Sequence, residues 1–186
     1  MKLDGLLGLL SRDRAVDSVT ASMARRASGT LVAPMGVRPP VVALAAAKPG
    51  MSTLAVVTAS GRDAEAMANA LRAWTDGVEV LPAWETLPHE RLSPQADTMA
   101  RRVAVLRRLA HPVAGDPHAG PIRILVVPVR ALLQPVIRGL GDLEPVRVRV
   151  GDVVDLPDLT QRLADLGYER VDMVEARGQM SVRGGI

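Results

Sequence analysis

The chain has 186 residues, 48% of them hydrophobic, with 23 basic and 20 acidic side chains and a formal net charge of +3. This size predicts a globular protein that buries roughly 70% of its unfolded surface, and neither a membrane span of about 18 apolar residues nor a signal-peptide cleavage site is indicated. The lack of cysteine excludes disulfides and thiolate metal sites and favours a cytoplasmic location, while an aromatic content of 2% argues against single-strand binding by base stacking.

The first part of the chain alternates short β-branched runs with helical patterns. We predict strands at 30–34, 53–59, 78–81 and 122–127, and helices at 41–47, 61–74, 94–110 and 129–136. Ser60 is placed to cap the second helix, and Ser93-Pro94 to cap and open the third. The run TLAVVTA at 53–59 is apolar on both faces, which is typical of a buried strand. Strands separated by helices imply right-handed crossovers and an α/β fold with a parallel sheet and helices on both faces.

A change in composition at about 139–145 indicates a domain boundary, with residues 1–143 as the first unit and 144–186 as the second. In the second unit, VRVRV at 146–150 alternates with period two. A helix at 157–166 is closed by Gly167, and ERVDMV and QMSVRGG read as two further strands. The last residues fall inside a predicted strand, so we expect the chain to be a fragment of a longer protein.

The long helix in the middle of the chain carries two pairs of adjacent arginines, a pattern that could indicate contact with DNA. Its predicted apolar stripe comprises Met99, Val103, Leu106 and Ala110. Arg101 and Arg108 lie opposite this stripe. Arg102 and Arg107 flank it. An ordinary solvated helix has the same arrangement and is favoured, so DNA binding by the basic helix 96–110 is the alternative interpretation.

The remaining sequence shows no pattern of a metal site or hydrolase. His89, His111 and His118 can be grouped with Asp116, but their spacing matches no helical or hairpin chelate. There is also no Gly-x-Ser-x-Gly elbow and no paired-carboxylate signature. The sequence therefore predicts neither a metal nor a hydrolytic centre.

The segment APMGVRPPVVALA stands where a nucleotide-binding sheet would carry its phosphate loop. A P-loop needs glycine amides around the phosphates and a lysine for the outer phosphates. Neither Lys2 nor Lys48 has a Gly-Lys-Ser/Thr context, and Pro39 and Pro40 remove two amides. ATP hydrolysis by this chain is physically implausible, and nucleotide sensing without hydrolysis is a further hypothesis.

Three arginines of the second unit form the main candidate for a binding surface. Arg170, Arg177 and Arg183 fall on or between the two predicted strands, where alternation can place guanidinium groups on one face. A guanidinium fork binds carboxylates bidentately, so this face would suit an acidic protein partner. Scattered solubilising arginines explain the pattern equally well.

Several ordered motifs resemble the family of bacterial transcription-repair coupling factors. These motifs are LPAWETLPHERLSPQADTMARRVAVLRRL, TLAVVTASGRDAEAMANAL, ILVVPVRALLQP and LGYERVDMVEARGQMSVRGGI. The resemblance covers most of the chain, whereas residues 1–30 contribute little to it. It implies an N-terminal module similar to the excinuclease B subunit, with a degenerate RecA-like α/β domain and the start of a small α/β interaction domain that recruits the excision-repair ATPase UvrA.

The same resemblance implies what lies outside these residues. The parent protein would bind RNA polymerase and double-stranded DNA and would be an ATP- and magnesium-dependent DNA translocase, so this chain itself would need no cofactor. The excinuclease B subunit carries a working P-loop. It also carries a tyrosine-rich hairpin at the place where this chain has residues 84–93. A hairpin that separates DNA strands needs several apolar side chains as wedges between the bases. A proline loop with one tryptophan cannot supply them, which favours the coupling factor.

The resemblance also assigns site residues. The partner-binding arginines of the family match Arg170 in GYERVD and Arg183 in SVRGG, with Arg177 as a third candidate. Trp84 is interpreted as a structural anchor that covers an apolar patch, with stacking on DNA as the alternative. No catalytic residue and no metal ligand is expected.

Overall fold

The computed structural model describes residues 3–86 and 93–183 and contains a three-stranded parallel sheet flanked by helices. The helices are α1 (Leu7–Leu10), α2 (Arg14–Ala24), α3 (Arg38–Ala46), α4 (Gly61–Arg72), α5 (Ala96–Ala110), α6 (Val129–Leu133) and α7 (Leu156–Asp165). The strands are β1 (Leu54–Thr58), β2 (Val78–Val80), β3 (Ile124–Pro128), β4 (Glu169–Arg170) and β5 (Gln179–Met180). The predicted α/β class is confirmed. In the described segments, every helix is too short to cross a bilayer.

The sheet has the strand order β1-β3-β2, with all strands parallel. All five residues of β3 are buried, because helices cover both faces of the central strand. The predicted buried strand at 53–59 is instead the edge strand β1, in which exposed and covered residues alternate and Val57 is 53% exposed. A run that is apolar on both faces cannot distinguish an edge from a centre, so this part of the prediction is wrong.

Two clusters of buried side chains lie on opposite faces of the sheet. The first cluster joins α3 and α4 to the sheet and comprises Ala43, Ala64, Ala68, Leu71, Val78, Val80, Ile124 and Val126. The second joins α5 and α6 to it and comprises Leu81, Val105, Ile122, Leu125, Val127 and Ala131. Successive residues of β3 contribute to alternate clusters, as the pleat requires. Helices on both faces of the sheet are thus confirmed.

Local signals fix where the helices begin. The Ser60 hydroxyl accepts a hydrogen bond from the Asp63 amide at 3.1 Å, so the predicted cap of α4 is confirmed. The predicted cap and start of α5 at Ser93-Pro94 are wrong, since the helix begins at Ala96 and its N-cap residue, Gln95, makes no side-chain cap bond. Pro39 and Pro40 lie in the first turn of α3, where the fixed φ of proline favours the helix and its missing amide costs nothing.

Two predicted strands are absent from the described residues. Residues 30–34 and 146–150 have no regular structure, and Val32 and Val150 are almost fully exposed. Alternating apolar and polar residues suit a β-strand, but a strand also needs a neighbouring strand that pairs with its backbone N–H and C=O groups. The helix predicted over 129–136 ends at Leu133, because Pro135 drives Gln134 into the extended region.

The strands of the second unit are shorter than predicted. β4 and β5 have two residues each and pair in parallel, with Glu169 opposite Gln179. The helix predicted at 157–166 is confirmed as α7, and Gly167 ends it with a φ of +87°. No side chain described between residues 144 and 183 is buried. The domain boundary at residues 143 and 144 stays a prediction.

Candidate protein-docking surface

Arg170 lines both of two open grooves in the second unit, each with a volume of about 530 Å³. The apolar groove runs between α7 and the β4–β5 pair and is lined by Leu156, Pro157, Thr160, Gln161, Ala164, Tyr168, Arg170, Met180 and Val182. The polar groove is lined by Arg170, Val171, Asp172, Ser181, Val182 and Arg183. Arg170 is exposed, so its charge is available to both grooves.

Arg183 is held at the polar groove by the backbone of the neighbouring segment. Its Nη2 donates to the Asp172 carbonyl oxygen at 2.6 Å, and the Ser181 hydroxyl donates to the same oxygen at 3.1 Å. This contact uses one of the five donors of the guanidinium, and among the described residues no carboxylate pairs with Arg183. The structure therefore brings Arg170 and Arg183 together on one surface, with both side chains exposed.

Arg177 is separated from this pair. Its Nε lies 3.0 Å from Oδ1 of Asp97, in the first turn of α5, and it lines neither groove. Sequence reasoning placed Arg177 with Arg170 and Arg183 because all three fall within a short segment. The structure turns Arg177 towards the first unit instead, and its role as a partner contact stays a prediction.

Trp84 is held at both ends of its backbone. Its amide donates to Gln134 Oε1 at 2.7 Å, and Gln134 Nε2 donates to the Trp84 carbonyl oxygen at 3.1 Å. The ring centroid lies 4.4 Å from the guanidinium carbon of Arg102, which is a cation–π contact. The assigned role of Trp84 as an anchor stays a prediction. Residues 87–92 of the same loop, including His89, lie outside the described residues.

Arg102 is fully buried, which corrects its predicted place at the edge of the apolar stripe of α5. The buried residues of this helix are Thr98, Arg102 and Val105, a face rotated by about one residue from the predicted stripe. Hydrophobicity alone favoured Val103 and Leu106, but packing against the loop after β2 selects the neighbouring row. The pairing of Trp84 with Arg102 could have been predicted from one signal, a tryptophan in a proline loop that precedes an arginine-rich helix.

The environment of Arg102 gives its guanidinium little hydrogen bonding. Nη1 donates to the Pro82 carbonyl oxygen at 2.6 Å, whereas Nε and Nη2 are buried without a partner among the residues described. Burial lowers the pKa of the Arg102 guanidinium. The aromatic face of Trp84 and the Pro82 carbonyl oxygen together offset the burial of this charge.

The other arginines of α5 have partners within the chain. Arg101 Nη2 lies 2.6 Å from Glu65 Oε1, and Arg107 Nη1 donates to the Asp142 carbonyl oxygen at 3.1 Å. Arg108 pairs with Glu79 and donates through Nε to the Gly120 carbonyl oxygen at 2.8 Å. These contacts reduce the positive charge that the helix offers to DNA. Contact of Arg101 or Arg108 with DNA stays a prediction.

The histidines are not gathered in a chelating cluster within the described chain, where no group of three potential ligands occurs. His111 Nε2 lies 2.6 Å from Asp142 Oδ1 and ties the end of α5 to the turn at Leu140–Asp142. Asp116 accepts the amides of Ala119 and His118 at 2.8 Å, and these bonds hold its pKa below the usual value. Both carboxylates thus stabilise loops.

Comparisons with known proteins include a family match over the segment that carries both grooves. Residues 146–186 match the UvrB interaction domain family. The chain is 50% identical over 159 residues to the transcription-repair-coupling factor of Mycobacterium bovis, covering 84% of this chain and 12% of that protein. It is 33% identical over 112 residues to that of Bacillus subtilis, covering 59% of this chain and 9% of the relative.

A shorter match is to the UvrABC system protein B of Vibrio vulnificus, with 46% identity over 55 residues, 27% of this chain and 8% of the relative. The chain spans about one eighth of the length of the two mycobacterial coupling factors that it matches. Its sequence is thus similar to transcription-repair-coupling factors over most of its length, and residues 146–186 match the UvrB interaction domain family.

Proposed function

We propose that this chain is a non-catalytic docking module that recruits the excision-repair ATPase UvrA in transcription-coupled nucleotide excision repair. The observation that carries this proposal is the exposed pair Arg170 and Arg183 on one groove of a segment that matches the UvrB interaction domain. The coupling-factor relatives support the repair context. We expect the chain to act in the cytoplasm.

The chemistry of the polar groove supports an acidic protein partner. Arg183 is oriented by the Asp172 carbonyl oxygen, so little side-chain freedom is lost when its remaining donors bind a carboxylate. Arg170 beside it adds a second positive charge, which would steer an acidic surface towards the groove. The adjoining apolar groove offers area for contacts around this charged pair.

The function of the whole parent protein is part of the same proposal. The names of the relatives suggest that it couples transcription to repair, and we propose that other parts of it bind RNA polymerase and translocate on double-stranded DNA with ATP and magnesium. This chain would contribute binding, because APMGVRPP supplies neither the glycine amides nor the lysine of a P-loop.

Titration of purified UvrA with the 186-residue chain and its arginine variants tests the proposal. We expect Arg183→Ala to weaken binding at least about tenfold, since a desolvated arginine–carboxylate pair costs about 2–5 kcal/mol when one partner is truncated. Arg170→Ala should weaken it as well. Arg138→Ala, an exposed arginine of the first unit, is the matched control. Unchanged calorimetric affinity in both groove variants, with circular dichroism intact, contradicts the proposal.

A further inference from the structure

The turn that ends α2 contains a backbone conformation that arginine rarely adopts. Arg26 has a φ of +57° and is the only non-glycine residue with a positive φ in the described part of the chain. The Ala27 amide donates to the Ser22 carbonyl oxygen at 2.9 Å, and the Arg26 amide donates to the Met23 carbonyl oxygen at 2.9 Å. These bonds form a Schellman motif, in which glycine usually takes the position of Arg26. Because an arginine there costs free energy, helix termination alone does not explain the residue.

Two arginines without a partner precede a free hydroxyl at this turn. Arg25 and Arg26 are exposed, and neither guanidinium has a hydrogen-bond or ion-pair partner among the residues that the structure describes. Ser28 is exposed as well, and its hydroxyl has no hydrogen-bond partner within the same residues. By contrast, Arg101 and Arg108 on α5 are each paired with a carboxylate. The end of α2 therefore offers two uncompensated positive charges beside a hydroxyl that follows them in the chain.

The segment that follows the turn is accessible to an enzyme. Residues 27–34 have no regular secondary structure, and Val32 is 94% exposed. Among the described hydrogen bonds, none involves a backbone group of residues 28–33. A protein kinase binds the residues around its target hydroxyl as an extended peptide. Since few contacts hold this segment in place, it can adopt that conformation at low free energy.

We propose that Ser28 is a phosphorylation site for a serine kinase that selects arginine. The sequence Arg25-Arg26-Ala27-Ser28 places guanidinium groups three and two residues before the hydroxyl, where carboxylates in the substrate groove of such a kinase can bind them. The γ-phosphoryl group of ATP is transferred to Ser28 Oγ. The bond from the γ-phosphorus to the bridging oxygen breaks, the bond to Oγ forms, ADP leaves, and the hydroxyl proton passes to the catalytic base of the kinase. This inference is independent of the proposed docking function.

Phosphorylation would give the two arginines a partner within the chain. A phosphoserine carries about −1.5 to −2 charges at neutral pH, which offsets the two guanidinium charges. The dipole of α2 opposes a negative charge at its C-terminal end, but it is equivalent to only about half a charge, so the two arginines outweigh it. Charge-assisted hydrogen bonds from Arg25 and Arg26 would then tie residue 28 to the end of the helix.

A kinase assay on the 186-residue chain tests the site. The probe is the catalytic subunit of cyclic-AMP-dependent protein kinase, which selects arginine before serine, with ATP and magnesium, and mass spectrometry of peptides locates the phosphate. We expect Ser28 to be the main product. Arg25→Ala and Arg26→Gly should each lower kcat/KM at Ser28 at least about tenfold, since each removes an arginine–carboxylate pair. Glycine suits the positive φ at position 26, so the fold is retained.

The matched control for this assay is Ser22→Ala, whose hydroxyl donates to the Ser18 carbonyl oxygen inside α2 and which should leave the rate unchanged. A main product at another residue, no phosphorylation, or equal rates for the wild type and both arginine variants overturns the site.

Phosphorus NMR tests whether the arginines hold the phosphate. The pKa of the phosphoserine in the phosphorylated wild type should be lower than in Arg26→Gly that has been phosphorylated to completion by longer incubation, because a guanidinium favours the dianion. Arg138→Ala, which removes one exposed arginine elsewhere in the first unit, controls for the change in net charge and should titrate like the wild type. Identical titrations of all three proteins overturn the pairing of the phosphate with the turn.

Discussion

Arg102 shows how one residue can be charged, buried and still tolerated. Its guanidinium lies over the Trp84 ring and donates to the Pro82 carbonyl oxygen, while two of its nitrogens are unpaired within the described chain. A guanidinium is weakly hydrated and planar, so an aromatic face offsets its burial better than it would for lysine. The fixed φ of Pro82 and the two hydrogen bonds to Gln134 restrict the backbone that carries the ring.

The Trp84–Arg102 pair yields the first prediction. Trp84→Ala should destabilise the protein by about 2–4 kcal/mol, because it removes the packing of the ring and the cation–π contact that offsets the burial of the Arg102 guanidinium. In the Arg102→Met background the loss should be smaller by about 2 kcal/mol, the value of a desolvated cation–π contact. Urea unfolding of the four proteins measures the coupling, with Trp84→Phe as a conservative control. Additive effects would show that the ring does not stabilise the cation.

Glu85 yields a prediction about pH. Burial alone would raise its pKa, but hydrogen bonds from Thr98 and from the Gln95 backbone, with the nearby Arg130 guanidinium, hold it below 4.5. A carboxyl whose pKa is lower in the folded state stabilises the fold above the unfolded pKa. This contribution is lost as the pH falls below about 4.5 and through the folded pKa.

The measurement is urea unfolding at pH 6.5, 5, 4 and 3 for the wild type and Glu85→Gln. The difference in stability between the two proteins should shrink as the pH falls, since Gln cannot titrate. Asp63→Asn, the same chemical change at the α4 cap, controls for a general effect of carboxyl removal. A constant difference across this range would exclude Glu85 as a titrating contributor.

At the scale of elements, the close packing of α5 against the turn at Leu140–Asp142 depends on a glycine. A Cβ at Gly141 would lie 2.9 Å from the Leu106 carbonyl oxygen, which is backbone and cannot move aside. The contact between His111 Nε2 and Asp142 Oδ1 joins the same two elements. Glycine is therefore required here for space, since its φ is not in the left-handed region.

We expect Gly141→Ala to destabilise the protein by about 1–3 kcal/mol, as overpacking does elsewhere. Gly61→Ala is the matched control, because a Cβ at this first position of α4 meets nothing within 4 Å. That variant should be neutral or stabilising by up to about 1 kcal/mol, since alanine reduces the entropy of the unfolded chain. Thermal unfolding distinguishes the two, and equal melting temperatures would contradict the steric argument.

The elements that the sequence predicts correctly are those with local signals. Ser60 caps α4 through its own side chain, Gly167 ends α7, and the apolar run of β3 lies between turn residues. The wrong predictions concern which strand, helix or loop packs beside a given segment. Whether 53–59 is an edge strand, and whether 146–150 finds a strand to pair with, depends on parts of the chain distant in sequence. The burial of Arg102 likewise depends on the loop after β2, which no helical periodicity describes.

For the candidate site, the sequence could predict residue types but not their grouping. Arg170 and Arg183 line one groove, but strand alternation does not explain this, because β4 and β5 have only two residues each and Arg183 lies beyond the end of β5. Arg177 could not be placed, because it lies in the loop between β4 and β5 and pairs with a helix of the other unit. Loop residues carry no periodicity from which a direction can be derived.

At the scale of the whole molecule, the two units differ in how much they bury. The three-stranded sheet has clusters of buried side chains on both faces, whereas the described residues from 144 to 183 have none. Segments with few buried contacts open at low free energy. We therefore expect the candidate partner arginines Arg170 and Arg183 to lie in the unit that opens at the lower free energy.

This difference predicts a gradient in amide hydrogen exchange. Amides of β3 should exchange only by global unfolding, while those of α7, β4 and β5 should exchange at least about a hundredfold faster, corresponding to about 2.7 kcal/mol. Exchange followed by mass spectrometry of peptides gives the comparison. Equal protection of α7 and β3 would mean that the second unit has a stability of its own.

The contact between Trp84 and Arg102 also makes the molecule its own optical reporter. The chain has two tryptophans, and Trp74 packs against the first core cluster, so Trp74→Phe leaves one indole as the sole fluorophore of that kind. The Arg102 guanidinium over the indole face alters the emission of Trp84. This effect is lost when the loop that carries Trp84 separates from α5. The intensity and wavelength of that single emitter would then follow the loop in real time, without any attached dye.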